Sequence, residues 1–205
     1  MKKHLIRIVG GDYRRTQIVV PDGPGLRPTP DRVRETLFNW LSHFWAGRFS
    51  DKRVLDLFAG TGALGFEAAS RGVAWAQLVE QSPTALAALH ALQRRLNAPN
   101  VHIRAGDAPA YLRTPIEPRF DLLMLDPPFG HDWLDRLWPL IPNVLVEGGL
   151  VYLETERAAD QPPTEFTVLR HGRAGRVHFH LLQFAATQKK VNNPADTLLT
   201  AHLQT

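Results

Sequence analysis

From Val54 to Gly65 the chain reads Val-Leu-Asp-Leu-Phe-Ala-Gly-Thr-Gly-Ala-Leu-Gly, an apolar strand that enters a tight glycine turn and passes straight into a helix start. Such a turn brings backbone close to a ligand at the carboxyl end of a strand, where open α/β sheets form their binding crevices. From residue 53 onward, apolar strand-like runs alternate with helical segments, the pattern of a parallel sheet covered on both faces. Strands are expected at 53–58, 75–80, 101–105, 120–126, 149–155, 165–171 and 176–184. Helices fit between the first five; in one of them Ser82 caps, Pro83 starts, and Leu86, Leu89, Leu92 and Leu96 form the buried stripe. The last two strands have no helix between them and are joined through Gly172-Arg173-Ala174-Gly175 as a hairpin. The expected fold is a doubly wound, Rossmann-like α/β sheet of seven strands with an antiparallel pair at its C-terminal edge.

An extension precedes this core. Two short strands around Gly10-Gly11-Asp12 are followed by a loop from Pro21 to Gly25. Thr29-Pro30 then reads as an N-cap with proline in the first turn, opening a helix to about Trp45 with Val33, Leu37, Leu41 and Phe44 on one stripe. The expected organisation is a basic hairpin-and-helix extension at 1–50, a core at 51–186 and a loose tail at 187–205.

Charge is unevenly placed. Residues 1–34 hold eight Lys or Arg against three acids, a net of +5, while the whole chain is +4. The basic excess is therefore N-terminal, as expected where an extension meets a polyanion such as a nucleic acid, and Arg7, Arg14, Arg15, Arg27, Arg32 and Arg34 are the candidate contacts. No apolar run approaches a membrane span, and the first residues lack the pattern of a signal peptide, so a cytoplasmic protein without membrane association is expected. With no cysteine, and histidines without ligand spacing, no metal is expected.

Gly60, Gly62 and Gly65 spell G-x-G-x-x-G, and Glu80 ends the second core strand about twenty residues later, where a carboxylate suits a ribose diol. By itself the glycine turn fits a dinucleotide as well as S-adenosylmethionine, and a nicotinamide oxidoreductase is the corresponding alternative. Three features favour the methyl donor. Asp56, inside the first strand, would face a cationic amino-acid end but repel a pyrophosphate. Gly106-Asp107-Ala108 offers an acceptor for an adenine amine after the third strand. Asp126-Pro127-Pro128-Phe129 ends the fourth. Phe58 and Gln81 flank the same crevice as further cofactor candidates.

The Asp-Pro-Pro-Phe segment suits a planar exocyclic amine, whose lone pair is delocalised into its ring. The Asp126 carboxylate and the Pro127 carbonyl can each accept one amine hydrogen, and Phe129 can stack on the ring. The prolines fix φ and remove two amide donors, leaving a stiff arm with free carbonyls. Asp126, Pro127 and Phe129 are thus the catalytic candidates. The arm alone leaves the acceptor open among adenine N6 of DNA or RNA, cytosine, guanine and glutamine amides. An RNA-binding assembly factor without activity is a further alternative.

The chain resembles the RsmD family of 16S ribosomal RNA guanine-N2 methyltransferases through Arg7-Ile8-Val9-Gly10-Gly11, the stretch from Leu26 to Asn39 (Leu-Arg-Pro-Thr-Pro-Asp-Arg-Val-Arg-Glu-Thr-Leu-Phe-Asn), Asp56 to Gly65, and Asp126 to Phe129. The resemblance spans residues 5–185. It departs at Arg14-Arg15-Thr16-Gln17, where the family usually shows Arg-Gly followed by two basic residues. It implies a class I methyltransferase sheet, S-adenosylmethionine as donor with S-adenosylhomocysteine as product, and one guanine of the small ribosomal subunit or its assembly intermediate as acceptor. A monomer is expected.

Overall fold

The computed structural model describes residues 5–20, 29–128, 133–156 and 162–185. A small antiparallel hairpin, β1 (Leu5–Arg7) and β2 (Gln17–Val19), precedes helix α1 (Asp31–Phe44). The core then alternates β3 (Arg53–Asp56), α2 (Ala63–Ser70), β4 (Trp75–Glu80), α3 (Pro83–Leu96), β5 (Val101–Ala105), α4 (Ala108–Leu112), β6 (Phe120–Leu125) and α5 (Trp133–Leu137). It ends on β7 (Leu145–Thr155), β8 (Phe166–Ala174) and β9 (Val177–Phe184). The seven core strands form one sheet in the order β5-β4-β3-β6-β7-β9-β8. The first five are parallel, and β9 pairs antiparallel with both β7 and β8.

The chain order reverses between β3 and β6, so the crevice beyond their carboxyl ends is the topological switch point at which such sheets bind ligands. Residues alternate between the faces. Val54, Met124, Tyr152 and Leu181 point to one core, and Leu55, Leu123, Val151 and Leu182 to the other. The extension packs into the first of these cores, because Ile8, Ile18, Val33, Leu37, Phe38 and Leu41 share it with the sheet.

Hydrogen bonds fix the hairpin onto α2. Glu67, fully buried, accepts from the Val9 and Gly10 amides at 2.7 and 2.9 Å, while Asp12 N–H donates to the Ser70 carbonyl at 2.8 Å. Gly11 has φ +77°, and a Cβ there would lie 1.8 Å from that same carbonyl oxygen, so this close approach requires glycine. Arg95 at the end of α3 donates to the Gln17 carbonyl.

Three local expectations are corrected. Thr29 does not cap α1: the N-cap is Pro30, without a side-chain bond, and the Thr29 hydroxyl turns inward instead. The last hairpin turns at Gly175 (φ +63°) rather than over 172–175, so β8 runs on through Ala174. β7 starts at Leu145, before the expected 149, with a register shift between Phe120 and Leu122 accommodating the extra residues. Ser82 does cap α3, accepting from Ala85 N–H at 3.4 Å.

Candidate active site

The glycine turn leaves β3 as expected. Gly60 and Gly62 have φ of +50° and +79°, and Gly62 is the N-cap of α2. Side chains from neighbouring elements organise its amides: Gly65 N–H donates to Asp56 Oδ2 at 3.0 Å, and Gly60 N–H to Glu80 Oε2 at 2.8 Å. Glu80 Oε1 accepts from Gln81 and Ser82 N–H at 2.8 and 2.7 Å. Asp56 is buried, and its Oδ1 has no hydrogen-bond partner among the described residues. Burial pushes its carboxyl up to about 7, with the Glu80 and Glu154 carboxylates adding to the rise and the Gly65 and Phe58 amides opposing it.

Asp107 caps α4, its carboxylate accepting from Ala110 N–H at 3.2 Å, and Ala108 is buried as the first residue of that helix. Phe58 lies half-buried with its ring edge-on to Trp133 at 5.2 Å. Gln81 is exposed at the mouth. All these residues follow the carboxyl ends of β3, β4 and β5, or stand at them.

Asp126 and Pro127 leave β6 half-buried, and Pro128 is exposed; Phe129 lies outside the described residues. Because Asp56 pairs in register with Met124 and Met124 with Tyr152, residues of this parity share one face. Asp126 and Glu154, each two residues further on, therefore share the face of Asp56 one pleat beyond it, and the three carboxylates gather at the carboxyl ends of β3, β6 and β7. Glu154 is 3% exposed. Its Oε1 accepts from Thr29 Oγ1 at 2.7 Å and Tyr152 Oη at 2.8 Å. Burial, then the charges of Glu154 and Asp56, hold the Asp126 carboxyl well above the usual carboxylate range, with the Thr29 hydroxyl pulling it back.

Glu154, Tyr152 and Thr29 were not among the sequence candidates. The available signal was a carboxylate at the end of the apolar run Leu150-Val151-Tyr152-Leu153, in phase with a tyrosine on the same pleat.

The expected RNA-facing arginines divide. Arg14 and Arg15 are exposed at the tip of the first hairpin, and Arg32 is exposed on α1. Arg7 is exposed with its Nε on Asp31 Oδ2 at 2.9 Å, and Arg27 lies outside the described residues. Arg34 is a correction: its side chain is fully buried, so it has no surface to offer RNA. Its guanidinium donates to the Thr29 and Arg7 carbonyls, to Asp31 at 2.6 Å and to Glu67 at 3.3 Å. Burial lowers its proton affinity, an effect that the Glu67 and Asp31 carboxylates oppose. Arg34 sits three, four and seven positions before Leu37, Phe38 and Leu41, on the buried stripe itself, which is the signal that assigns it to the interior.

Comparison with known proteins gives the same architecture. The family model described as Conserved hypothetical protein 95 matches residues 6–183. Ribosomal RNA small subunit methyltransferase D of Escherichia coli K12 is 39% identical over 182 residues, covering 87% of this chain and 89% of that protein. The protein of the same name from Haemophilus influenzae is 34% identical, covering 88% and 95%. The solved structure of Escherichia coli yhhF superposes with a TM-score of 0.78 at 35% identity, over 90% of this chain and 100% of that one. At the level of fold alone, the Thermus thermophilus 16S rRNA N2 methyltransferase RsmC, solved with AdoMet and guanosine, has a TM-score of 0.67 at 20% identity, over 90% of this chain and 50% of that one. With its seven-stranded sheet, its glycine turn and its Asp-Pro-Pro arm at one switch point, the chain belongs to the Conserved hypothetical protein 95 family, that of the RsmD-type ribosomal RNA methyltransferases.

Proposed function

We propose that the protein transfers a methyl group from S-adenosylmethionine to the exocyclic N2 of one guanine in 16S rRNA, acting as a cytoplasmic monomer on the small subunit or its assembly intermediate. The observation that carries this reading is the convergence of the glycine turn after β3 and the Asp126-Pro127 arm after β6 on adjacent strand ends. The relatives' shared name supports the small-subunit RNA as substrate. Guanine rests on the family resemblance.

The residues present fit the donor. Asp56, buried with one oxygen unpartnered, suits a cationic amino-acid end, and the glycine turn leaves room for backbone approach. Glu80 suits the ribose hydroxyls, although three amides already occupy its oxygens and must share it. Asp107 and Ala108 suit the adenine edge. When bound, the donor supplies an electrophilic methyl carbon on a positively charged sulfur.

The chain's own residues do the rest. Arg14, Arg15 and Arg32 contact phosphates, and a guanine is flipped from its loop at a cost of a few kcal/mol. Stacking on Phe129 returns about 1 to 3 kcal/mol, which suffices for an unpaired base. Asp126 and the Pro127 carbonyl hold the two amine hydrogens, turning the nitrogen lone pair toward the methyl carbon. With the donor supplying the methyl carbon and accepting back the C–S electron pair, the nitrogen would form the new N–C bond, and Asp126 would take the proton that the nitrogen sheds. Most of the acceleration comes from positioning, worth roughly 7 to 11 kcal/mol in well-oriented pairs.

The test is tritiated methyl transfer to small subunits from cells lacking the gene, followed by nucleoside analysis. Label in N2-methylguanosine is expected. Label in another nucleoside would overturn the acceptor, and no label in any RNA would overturn the reaction.

A further inference from the structure

The row of Asp56, Asp126 and Glu154 places three carboxylates in one crevice, with Glu80 facing Asp56 from β4. Arg34, the buried cation where α1 begins, is already engaged by Asp31, Glu67 and two carbonyls, and Glu67 on α2 is engaged by Arg34 and Arg71. Among the described residues no ion pair reaches the row, and Asp56 Oδ1 has no hydrogen-bond partner.

Adjacent carboxylates sharing a largely buried site resist ionising together, and hydrogen bonds decide which of them keeps the charge. Glu154 receives two donors at one oxygen, from Thr29 and Tyr152, and the single Thr29 hydroxyl hydrogen is committed to it at 2.7 Å, so Thr29 favours the charge on Glu154 over Asp126. Resting on the methyl-transfer reading, we infer that Glu154 is a positioning residue: hydrogen-bonded by Thr29 and Tyr152, it stays the charged member of the pair and reinforces burial in keeping a proton on Asp126 until a sulfonium enters. The site thereby selects the charged donor over its uncharged thioether product.

Proton affinities agree with this order. Asp126 is pushed well up by burial and then by the Glu154 charge, whereas Glu154, raised by burial, is drawn back by Thr29 and Tyr152. The Tyr152 phenol is pushed well up by burial and by Glu154, so it stays a donor.

The cycle balances. Entry of the sulfonium releases the Asp126 proton to solvent. Methyl transfer then converts sulfonium to thioether while the amine's proton returns to Asp126, leaving the crevice's net charge unchanged by the reaction. Without that charge the product no longer opposes the protonated carboxyl and leaves.

The test is calorimetric binding of S-adenosylmethionine and S-adenosylhomocysteine to the full chain, across neutral pH and in buffers of different ionisation enthalpy. Both ligands carry the ammonium that faces Asp56, so their difference isolates the sulfonium. The donor is expected to release up to one proton more than the product, and its affinity advantage to rise by up to about tenfold per pH unit. Glu154→Gln should reduce both differences, leaving the part that burial of Asp126 sustains, while product affinity stays unchanged. Tyr152→Phe, which keeps the carboxylate but removes one donor, should weaken them partway and carries the test if the glutamine variant does not fold. An unaltered pH slope in a folded variant, or equal proton release by the two ligands in the native protein, overturns the role of Glu154 and leaves methyl transfer standing. Failure of the native protein to bind either ligand overturns the methyl-transfer reading and this inference with it.

Discussion

Thr29 Oγ1 donates to Glu154 Oε1 at 2.7 Å, a buried contact between residues 125 positions apart. It ties the start of α1 to the strand beside the Asp126 arm, so the segment that follows the basic hairpin and the carboxylates of the crevice are parts of one hydrogen-bonded unit. Thr29→Val keeps the shape but leaves Glu154 with one donor fewer, which should cost about 1 to 3 kcal/mol in urea unfolding. Thr29→Ser should retain most of that stability.

Arg34 and Arg32 should separate cleanly. Arg34→Met leaves the Glu67 carboxylate buried beside an apolar group and should destabilise by about 3 to 5 kcal/mol. Glu67 keeps Arg71 and two amides, which favours the lower end of that range. Arg32→Ala, at an exposed site, should leave the urea midpoint in place and flatten the salt dependence of RNA binding. An unchanged salt slope would remove α1 from the RNA interface.

Asp126→Asn should abolish methyl transfer while leaving affinity for S-adenosylhomocysteine intact, because the thioether gains nothing from a carboxylate there. Product binding measured beside single-turnover chemistry checks it. Loss of both would indicate collapse of the crevice instead of loss of an amine acceptor.

Stability should fall between about pH 4 and pH 7. The Asp56 carboxyl rises from 3.8 to about 7 on folding, so the folded state binds the extra proton in that window and is stabilised relative to the unfolded chain at its lower end. That contribution, a few kcal/mol at most, is lost as pH climbs through 7. Asp56→Asn should flatten this part of the pH profile of urea unfolding. S-adenosylmethionine, by supplying a cation, should oppose the loss in the native protein.

Much of this was legible in the residues. The strands at Trp75–Glu80 and Val101–Ala105 fall where apolar patterning puts them, and Ser82 caps because serine before proline satisfies an orphan amide locally. The glycine turn and the Asp-Pro-Pro arm are also local, since φ preference and a missing N–H belong to the residue itself. Thr29-Pro30 carries the same kind of signal and misleads, because a buried carboxylate far along the chain outcompetes the helix amides for the hydroxyl.

What the sequence determined by itself is the set of conformations that each short segment prefers, and with them the strand order of chemistry along the chain: turn, acid, acid, amine arm. Only the tertiary structure decided which charges face water and which face one another. The burial of Arg34 against Glu67, and the alignment of Glu154 beside Asp126, depend on strand register and on a helix docking from the far end of the chain. Charge energetics depend on distance and solvent exclusion, and neither is a property of any single residue.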